Sequence, residues 1–481
     1  MNFALSILSA LLLIAVFPRF NFNWLAPVAL TPIIIASARE ASWKMRALYG
    51  WAAGFVFWFG VCYWIQFVLA VHGGLDVWLS WVSFFLFATL KGLHMALFAL
   101  LAGWAIRKWW AIPAIAALWT GIERTHGTFG FAWLDLGNAG IDMPLPTRLA
   151  PYIGVYGISF VFAALACAVA LVIMRRPRWQ LAWLGLLVVL PFLPALPKAA
   201  SATQSVRAVQ PNIDTETQWT VPLLQTEEDH LAGLSRLSPS PLIVWPEAPA
   251  PFYPESPDFR DFVGQISRHS NAYLLFGGVG HTSSTAPLNS AFLVDPAGHI
   301  AGEYDKVNLV PFGEFVPPPF GWVNRITKEA GDFVPGNRIV VFQAGGHRVG
   351  SFICYESAFP DFVRQFARDR SELLVNLSND GYFGRSAARE QHLALVRMRA
   401  AENRRWILRA TNDGITAMID PAGRVAERLE PYRELAADMG FNYVSDSTFY
   451  TRHGDWFAWG SLIVGLAAAA AGSRTPILKR V

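Results

Sequence analysis

The spacing of apolar positions divides the chain. Over the first 197 residues they run together in long unbroken stretches. Such runs lack the polar face of a surface helix and predict membrane-crossing helices. Seven are read at Phe3–Phe17, Trp24–Ala38, Tyr49–Val71, Val77–Ile106, Trp109–Ile122, Pro151–Met174 and Trp179–Leu196, with an eighth at Trp456–Gly472. The first, second, fifth and last fall short of the roughly 20 residues that a crossing needs. No basic residue precedes the first run, so it reads as a span and not as a cleavable signal peptide.

Between Ser205 and Asp455 the pattern changes to short β-rich runs alternating with amphipathic ones. Strands are expected at Val206–Gln210, Leu242–Trp245, Tyr273–Gly277, Ser290–Asp295, Ile339–Gln343, Val349–Cys354, Leu373–Leu377, Trp406–Ala410 and Ala417–Asp420. Helices are expected at Val221–Arg236, Asp258–Ser270, Pro360–Arg368 and Ala387–Asn403. This alternation predicts a layered α/β domain. Asp295-Pro296-Ala297-Gly298 and Asp420-Pro421-Ala422-Gly423 are the same turn used twice, which suggests hairpins in two halves of a sheet sandwich. Gly345-Gly346 reads as a hairpin turn. Gly277-Gly278-Val279-Gly280 reads as a tight turn, since it lacks the lysine and strand–helix setting of a phosphate loop. The expected organisation is a helical membrane region over 1–197, an α/β domain over 198–455, and a last membrane helix with a tail over 456–481.

Composition supports that division. Hydrophobic residues make up 53% of the 481, and only 15% are charged, against about one quarter in a soluble domain. A net charge of +4, scattered along the chain, gives no nucleic-acid footprint. Basic residues favour alternate connections: Arg39, Lys44 and Arg46; Arg107 and Lys108; Arg175, Arg176 and Arg178; Arg474, Lys479 and Arg480. The positive-inside rule then puts both termini in the cytoplasm and the α/β domain outside it. ATP and nicotinamide cofactors are scarce there, which disfavours kinases and dehydrogenases. Gly50 and Gly54 offer one close helix contact. Lys91 and His94 inside the fourth run are either functional or turned to a wet cavity.

The chain has three cysteines, and Cys62 and Cys167 lie in the membrane runs. Cys354 is thus the one thiol of the α/β domain, in Ser351-Phe352-Ile353-Cys354-Tyr355-Glu356-Ser357, where a strand ends. It reads as a nucleophile or as a small buried apolar residue. Glu247 closes another strand in Leu242-Ile243-Val244-Trp245-Pro246-Glu247, as a general base or an exposed strand end. Lys306 and Glu314 lie in the run from Tyr304 to Phe315, as an oxyanion partner with its carboxylate or as a surface pair. The Tyr355 N–H is a second candidate oxyanion donor. There is no HExxH and no Cys-x-x-Cys, so no metal is expected.

Glu, Lys and Cys in this order and context resemble the nitrilase superfamily, with its αββα sandwich. With eight spans added, the chain resembles the bacterial apolipoprotein N-acyltransferase family over nearly its whole length. The motifs that carry this are Trp245-Pro246-Glu247, the Tyr304–Pro317 run, Ile353-Cys354-Tyr355-Glu356, Asn376–Gly384 and Arg409-Ala410-Thr411-Asn412. The resemblance implies Glu247 as base, Lys306 as transition-state stabiliser and Cys354 as nucleophile. Glu314, Tyr355 and Glu356 would support them, and Trp219 would lie near the pocket. It implies an acyl-enzyme thioester, a phospholipid donor such as phosphatidylethanolamine, a diacylated apolipoprotein acceptor, the bilayer as partner, no cofactor, and a place in the bacterial inner membrane with a periplasmic catalytic domain. The sequence departs from the family at Ala132, Asn308 and Tyr382, where proline, histidine and tryptophan are usual. Two apolar, proline-rich loops are expected to dip into the membrane interface and gate acyl chains: Pro249–Pro257 with Phe252 and Tyr253, and Phe315–Val323 with Phe320 and Trp322. Two other readings share parts of the pattern: a membrane-tethered nitrilase-like amidase that passes the acyl group to water, and a transport or lipid-binding protein with a degenerate soluble domain.

Overall fold

A computed structural model of the chain describes residues 1–128, 131–236, 239–315 and 333–474. They pack into two units. The first comprises Met1–Gln66, Asp76–Leu196 and the chain from His453 onward, and the second comprises Phe67–Leu75 and Pro197–Arg452.

The first unit is helical. Among the described residues, three helices are long and apolar enough to cross a membrane: Val77–Ala105, Ala150–Ile173 and Trp456–Ser473. Trp43–Val61 with Ile65–His72 makes a fourth candidate, bent by 66°. Of the eight expected spans the others are short: Asn2–Val16 has 15 residues, Thr31–Arg39 has 9, Ala111–Arg124 has 14, and Arg178–Phe192 winds as a 3-10 helix. The Gly50/Gly54 contact is present, for a Cβ on Gly54 would sit 2.8 Å from the Cα of Gly92.

The second unit is a sandwich of two six-stranded sheets. The strands are β1 (Gln204–Gln210), β2 (Leu242–Val244), β3 (Tyr273–His281), β4 (Pro287–Val294), β5 (Ile300–Asp305), β6 (Val341–Ala344), β7 (His347–Ile353), β8 (Leu373–Ser378), β9 (Ile407–Thr411), β10 (Ala417–Ile419), β11 (Val425–Arg428) and β12 (Leu435–Phe441). One sheet runs β12-β1-β2-β3-β4-β5 and the other β11-β10-β9-β8-β7-β6. In each, three parallel strands (β1–β3, β7–β9) are followed by an antiparallel pair (β4–β5, β10–β11). The repeated turns join those pairs: Gly298 and Gly423 adopt φ of +87° and +81° and donate N–H to Asp295 and Asp420 carbonyls at 2.8 Å. Only glycine takes this conformation without strain.

Period-two burial builds the layers. Leu242 and Val244 of β2 join Leu275, Ala291 and Leu293 in a core shared with β7–β10. The alternate residues Ile243, Trp245, Leu274, Phe276 and Phe292 face the other way, against Leu231 of helix Val221–Arg236 and Phe259, Val263 and Ile266 of helix Pro257–Ser270. Helices Pro360–Arg368 and Ala388–Asn403 add Val363, Phe366, Leu393 and Val396 to the larger core. Each fully buried side chain of this size contributes roughly 1.5–3 kcal/mol.

Gly277–Gly280 corrects the sequence reading. These residues are not a turn but part of β3, paired with Leu288–Ala291. Gly277 and Gly278 lack side chains where the chain after β2 crosses over them, and Gly280 leaves room for Glu303 and Ser290. A Cβ on Gly277 would sit 2.6 Å from Ala248 N and 2.7 Å from the Cα of Glu247. Strands β5, β11 and β12 escaped the apolar pattern because they are only partly buried, with much of each face half-exposed or exposed. Gly277→Ala is expected to cost on the order of 1–3 kcal/mol, because backbone must move to admit the methyl. Gly233→Ala, in a helix with no heavy atom within 4 Å of the new Cβ, is expected to stabilise by about 0.5–1 kcal/mol. Thermal unfolding of the two variants checks the opposite signs.

Candidate active site

The C-terminal ends of strands from both sheets gather the reactive side chains, as open α/β sheets do. Glu247 follows β2, Lys306 follows β5 and Cys354 follows β7. Asn289 enters from the matching end of β4, opposite Val279.

Lys306 is the hub. It is buried, and its Nζ donates to Glu247 Oε1 at 3.1 Å and to Glu314 Oε1 at 2.9 Å. Asn289 Nδ2 repeats the bridge, donating to the same two oxygens at 2.8 and 2.6 Å. The other oxygen of Glu314 accepts the Val310 N–H at 2.7 Å, and that of Glu247 accepts the Asn379 N–H at 3.0 Å. Burial lowers the Lys306 pKa, but Glu247, Glu314 and Cys354 outweigh it and hold the ammonium well above its ordinary value. A carboxylate has about four lone-pair sites. Lys306, Asn289 and Asn379 fill three on Glu247, and one on Oε2 remains for a thiol proton.

Cys354 sits at φ +49° and is 7% exposed. The left-handed turn breaks β7 sharply and leads into a 3-10 turn over Cys354–Ala358. Glu356 locks that turn. Its carboxylate accepts the Tyr304 hydroxyl at 2.8 Å, the Ile353 N–H at 2.8 Å, and the Val307 and Asn308 N–H groups at 2.7 and 3.1 Å. One buried carboxylate thus ties the turn carrying Cys354 to the loop carrying Lys306. Burial pushes its pKa up to about 7, against the pull of those donors and of Lys306. The Cys354 thiol is pushed well up by burial and by Glu247, with Lys306 opposing and Asp380 and Glu314 adding to the rise.

The sequence-predicted residues therefore divide. Glu247, Lys306, Glu314, Cys354 and Glu356 come together, with Tyr355 beside the sulfur in the same buried turn. Trp219 packs, partly buried, on the helix-side core of the first sheet. Phe252 corrects the gating reading: it is 1% exposed and stacked on Phe259 at 4.6 Å, because burial under a helix satisfies its ring better than the loop surface would. Tyr253 beside it is exposed. Phe320 and Trp322 lie outside the described residues. Lys91 is buried in the helical unit, donating to the Phe131 carbonyl at 2.9 Å with Nζ 4.5 Å from the Trp58 ring centre. Sequence reasoning missed Asn289 and gave no role to Asn379. A polar residue inside the strand run Leu288–Val294 was the available signal for Asn289. No cluster of three or more metal-ligating side chains occurs among the described residues.

Comparison with known proteins bears on this arrangement. Residues 205–445 match the carbon-nitrogen hydrolase family, and residues 9–169 match the apolipoprotein N-acyltransferase N-terminal domain. The apolipoprotein N-acyltransferase of Geobacter metallireducens is 32% identical over 98% of this chain and 95% of that protein. Those of Pseudomonas syringae and Azotobacter vinelandii are each 32% identical, covering 85% and 93% of this chain and 86% and 91% of their own lengths. Among solved structures, a Nesterenkonia AN1 amidase from the nitrilase superfamily aligns with 54% of this chain and 96% of its own, at 18% identity and a TM-score of 0.41.

With its pKa raised, Cys354 rests as a thiol, and the thiolate is the species that alkylates. Alkylation of the full chain by iodoacetamide, followed at the Cys354 peptide by mass spectrometry, is expected to be slow near neutral pH. It should still be climbing at about pH 9, beyond the ordinary thiol pKa of about 8.5.

Proposed function

The chain belongs to the apolipoprotein N-acyltransferase family, and on that premise we propose that it moves a fatty acyl chain from a phospholipid to a lipoprotein through a thioester on Cys354. It is a membrane acyltransferase. The donor is a phospholipid such as phosphatidylethanolamine. The acceptor is the free α-amino group of a lipoprotein's N-terminal S-diacylglyceryl-cysteine.

The observation that carries this reading is a buried ammonium shared by two carboxylates, with a thiol within electrostatic reach of all three. In the first half-reaction Glu247 takes the Cys354 proton and the sulfur attacks the ester carbonyl. The carbonyl oxygen becomes an oxyanion facing Lys306 and the Tyr355 N–H. Collapse breaks the ester C–O bond, and the proton on Glu247 passes to the departing lysophospholipid oxygen. In the second half the neutral amine attacks the thioester, Glu247 takes a proton from nitrogen, the C–S bond breaks, and the proton returns to sulfur. Glu314 holds Lys306 in place throughout, Asn289 braces Glu314, and Glu356 keeps the two loops in register.

The charge bias of the connections supports an inner-membrane protein with both termini cytoplasmic and the catalytic unit periplasmic. The shorter apolar segments would then join the longer helices in the bilayer, making about eight passes. Tyr253, on its exposed loop, is proposed to meet the interface.

The test is incubation of the full chain with phosphatidylethanolamine vesicles and mass spectrometry of the Cys354 peptide. A peptide heavier by one acyl group is expected, and none in Cys354→Ala. Lys306→Met is expected to slow adduct formation by about 100–1,000-fold, the cost of losing one oxyanion donor. Adding a diacylated lipopeptide should yield the amide. Release of free fatty acid instead would favour the amidase reading, and no adduct on the wild-type chain would overturn both.

A further inference from the structure

A second buried polar cluster meets the backbone of Cys354 through His392. His392, on helix Ala388–Asn403, is fully buried. Its Nε2 lies 3.0 Å from the Cys354 carbonyl oxygen and 2.9 Å from Ser357 Oγ. Its Nδ1 lies 3.2 Å from both Asp380 Oδ1 and Arg409 Nη2. Arg409 Nη2 donates to both oxygens of Asp380, at 2.7 and 2.6 Å, and Arg409 Nη1 donates to Asn376 Oδ1 at 2.6 Å. Burial and the Arg409 charge hold the His392 pKa down, against Asp380, so the ring is neutral.

The proton's place follows from chemistry. The Cys354 carbonyl oxygen and Asp380 Oδ1 both have only lone pairs, and the neutral ring has one hydrogen between them; Nδ1 also has the Arg409 Nη2 donor beside it, which assigns the hydrogen to Nε2. His392 therefore donates Nε2–H to Cys354, and Nδ1 accepts from Arg409. Asp380 already has its countercharge in Arg409, which leaves the imidazole uncharged.

That hydrogen bond acts on the peptide between Cys354 and Tyr355. In a trans peptide the C=O and N–H point in opposite directions, so holding the oxygen also sets the direction of the Tyr355 N–H. A donor on the oxygen further polarises the N–H of the same peptide. The hold matters because Cys354 is left-handed, a conformation that strains a non-glycine residue. The turn is gripped from both sides: Glu356 accepts the Ile353 N–H before the cysteine, and His392 holds the carbonyl after it.

We propose that His392 is a positioning residue for acyl transfer: its Nε2–H fixes the Cys354–Tyr355 peptide and so aims the Tyr355 N–H at the oxyanion. The inference rests on the acyl-transfer reading of the same site. It separates the thiol's own reactivity from stabilisation of the tetrahedral intermediate, since His392 bears on the second alone.

Two rates on the full-length protein in lipid nanodiscs test it. Acylation of Cys354 passes through an oxyanion, whereas alkylation by iodoacetamide does not. His392→Leu is expected to slow acylation by roughly tenfold or more, less than direct loss of an oxyanion donor, with alkylation and the donor KM unchanged. His392→Gln, whose side-chain N–H2 can reach the carbonyl, should recover most of the rate, while the shorter His392→Asn should not. The Gln–Asn pair carries the test if the leucine variant does not fold. Wild-type acylation in His392→Leu or His392→Asn, or a parallel fall of both rates in every variant, would overturn the proposal. Should phospholipid give no adduct on the wild-type chain, the acyl-transfer reading fails. The same comparison with p-nitrophenyl butyrate, which also acylates through an oxyanion, still decides the role of His392.

Discussion

One buried ammonium shared by two carboxylates sets the terms for the rest of the site. Taking an ion out of water costs several kcal/mol even after relaxation, and only close, well-bonded partners offset it. Lys306 at 1% side-chain exposure, against Glu247 at 8% and Glu314 at 14%, meets that condition on both sides. Each partner comes from a different loop, so the charge requirement doubles as a positional one. None of the three side chains can withdraw without stranding a charge. Asn289 reinforces the arrangement as a neutral donor to both carboxylates. Even so, two carboxylates face one ammonium, and Glu247 adds to burial in keeping the neighbouring thiol protonated, with Lys306 opposing.

The sandwich makes such a cluster possible. Glu247 and Lys306 come from the first sheet, and Cys354 and Asn379 from the second. The Asn379 N–H on Glu247 and the Tyr304 hydroxyl on Glu356 are bonds between sheets. The geometry of the triad is therefore a consequence of how the two sheets pack, and the shared core of Leu242, Val244, Leu275, Phe352 and Leu377 holds it. Because the two sheets repeat the same strand pattern, they present equivalent strand ends to each other. Chemistry at one edge draws on both halves.

What the sequence made legible was what local pattern controls. Short β-rich runs located nine of the strands. Four amphipathic stretches located the flanking helices, and the twin Asp-Pro-Ala-Gly turns announced the repeated hairpins. Glu247 and Cys354 were visible because each stands where an apolar strand ends, and Lys306 because it shares a short run with Glu314. The rest depends on partners far away in sequence. Asn289 reaches Glu247 across 42 positions, and the Asn379 N–H reaches it across 132. Nothing local distinguishes such residues from other buried polar side chains. Glycines 277 and 278 misled for a related reason: their role is to leave room for a neighbouring loop, which a one-dimensional pattern cannot display. Phe252 misled because a proline-rich apolar loop looks the same whether its ring turns outward or under a helix. In the helical unit, hydropathy marks each apolar run without fixing whether it winds into one helix long enough to cross.

The second carboxylate on Lys306 acquires a physical purpose once the proposed proton path is followed. When Glu247 takes the thiol proton it becomes neutral, and a lysine held by that carboxylate alone would lose its partner at the moment it is needed. Glu314 keeps the ammonium charged and in place through that step. The negative charge that leaves Glu247 reappears on the carbonyl oxygen of the tetrahedral intermediate, beside the same lysine. The cluster's net charge does not change. Charge moves only from one neighbour of Lys306 to another, inside a site whose dipoles are already oriented, so little reorganisation opposes it. The return step reverses the same displacement. That symmetry suits an enzyme whose thioester must form with one substrate and break with another, with a single base serving both.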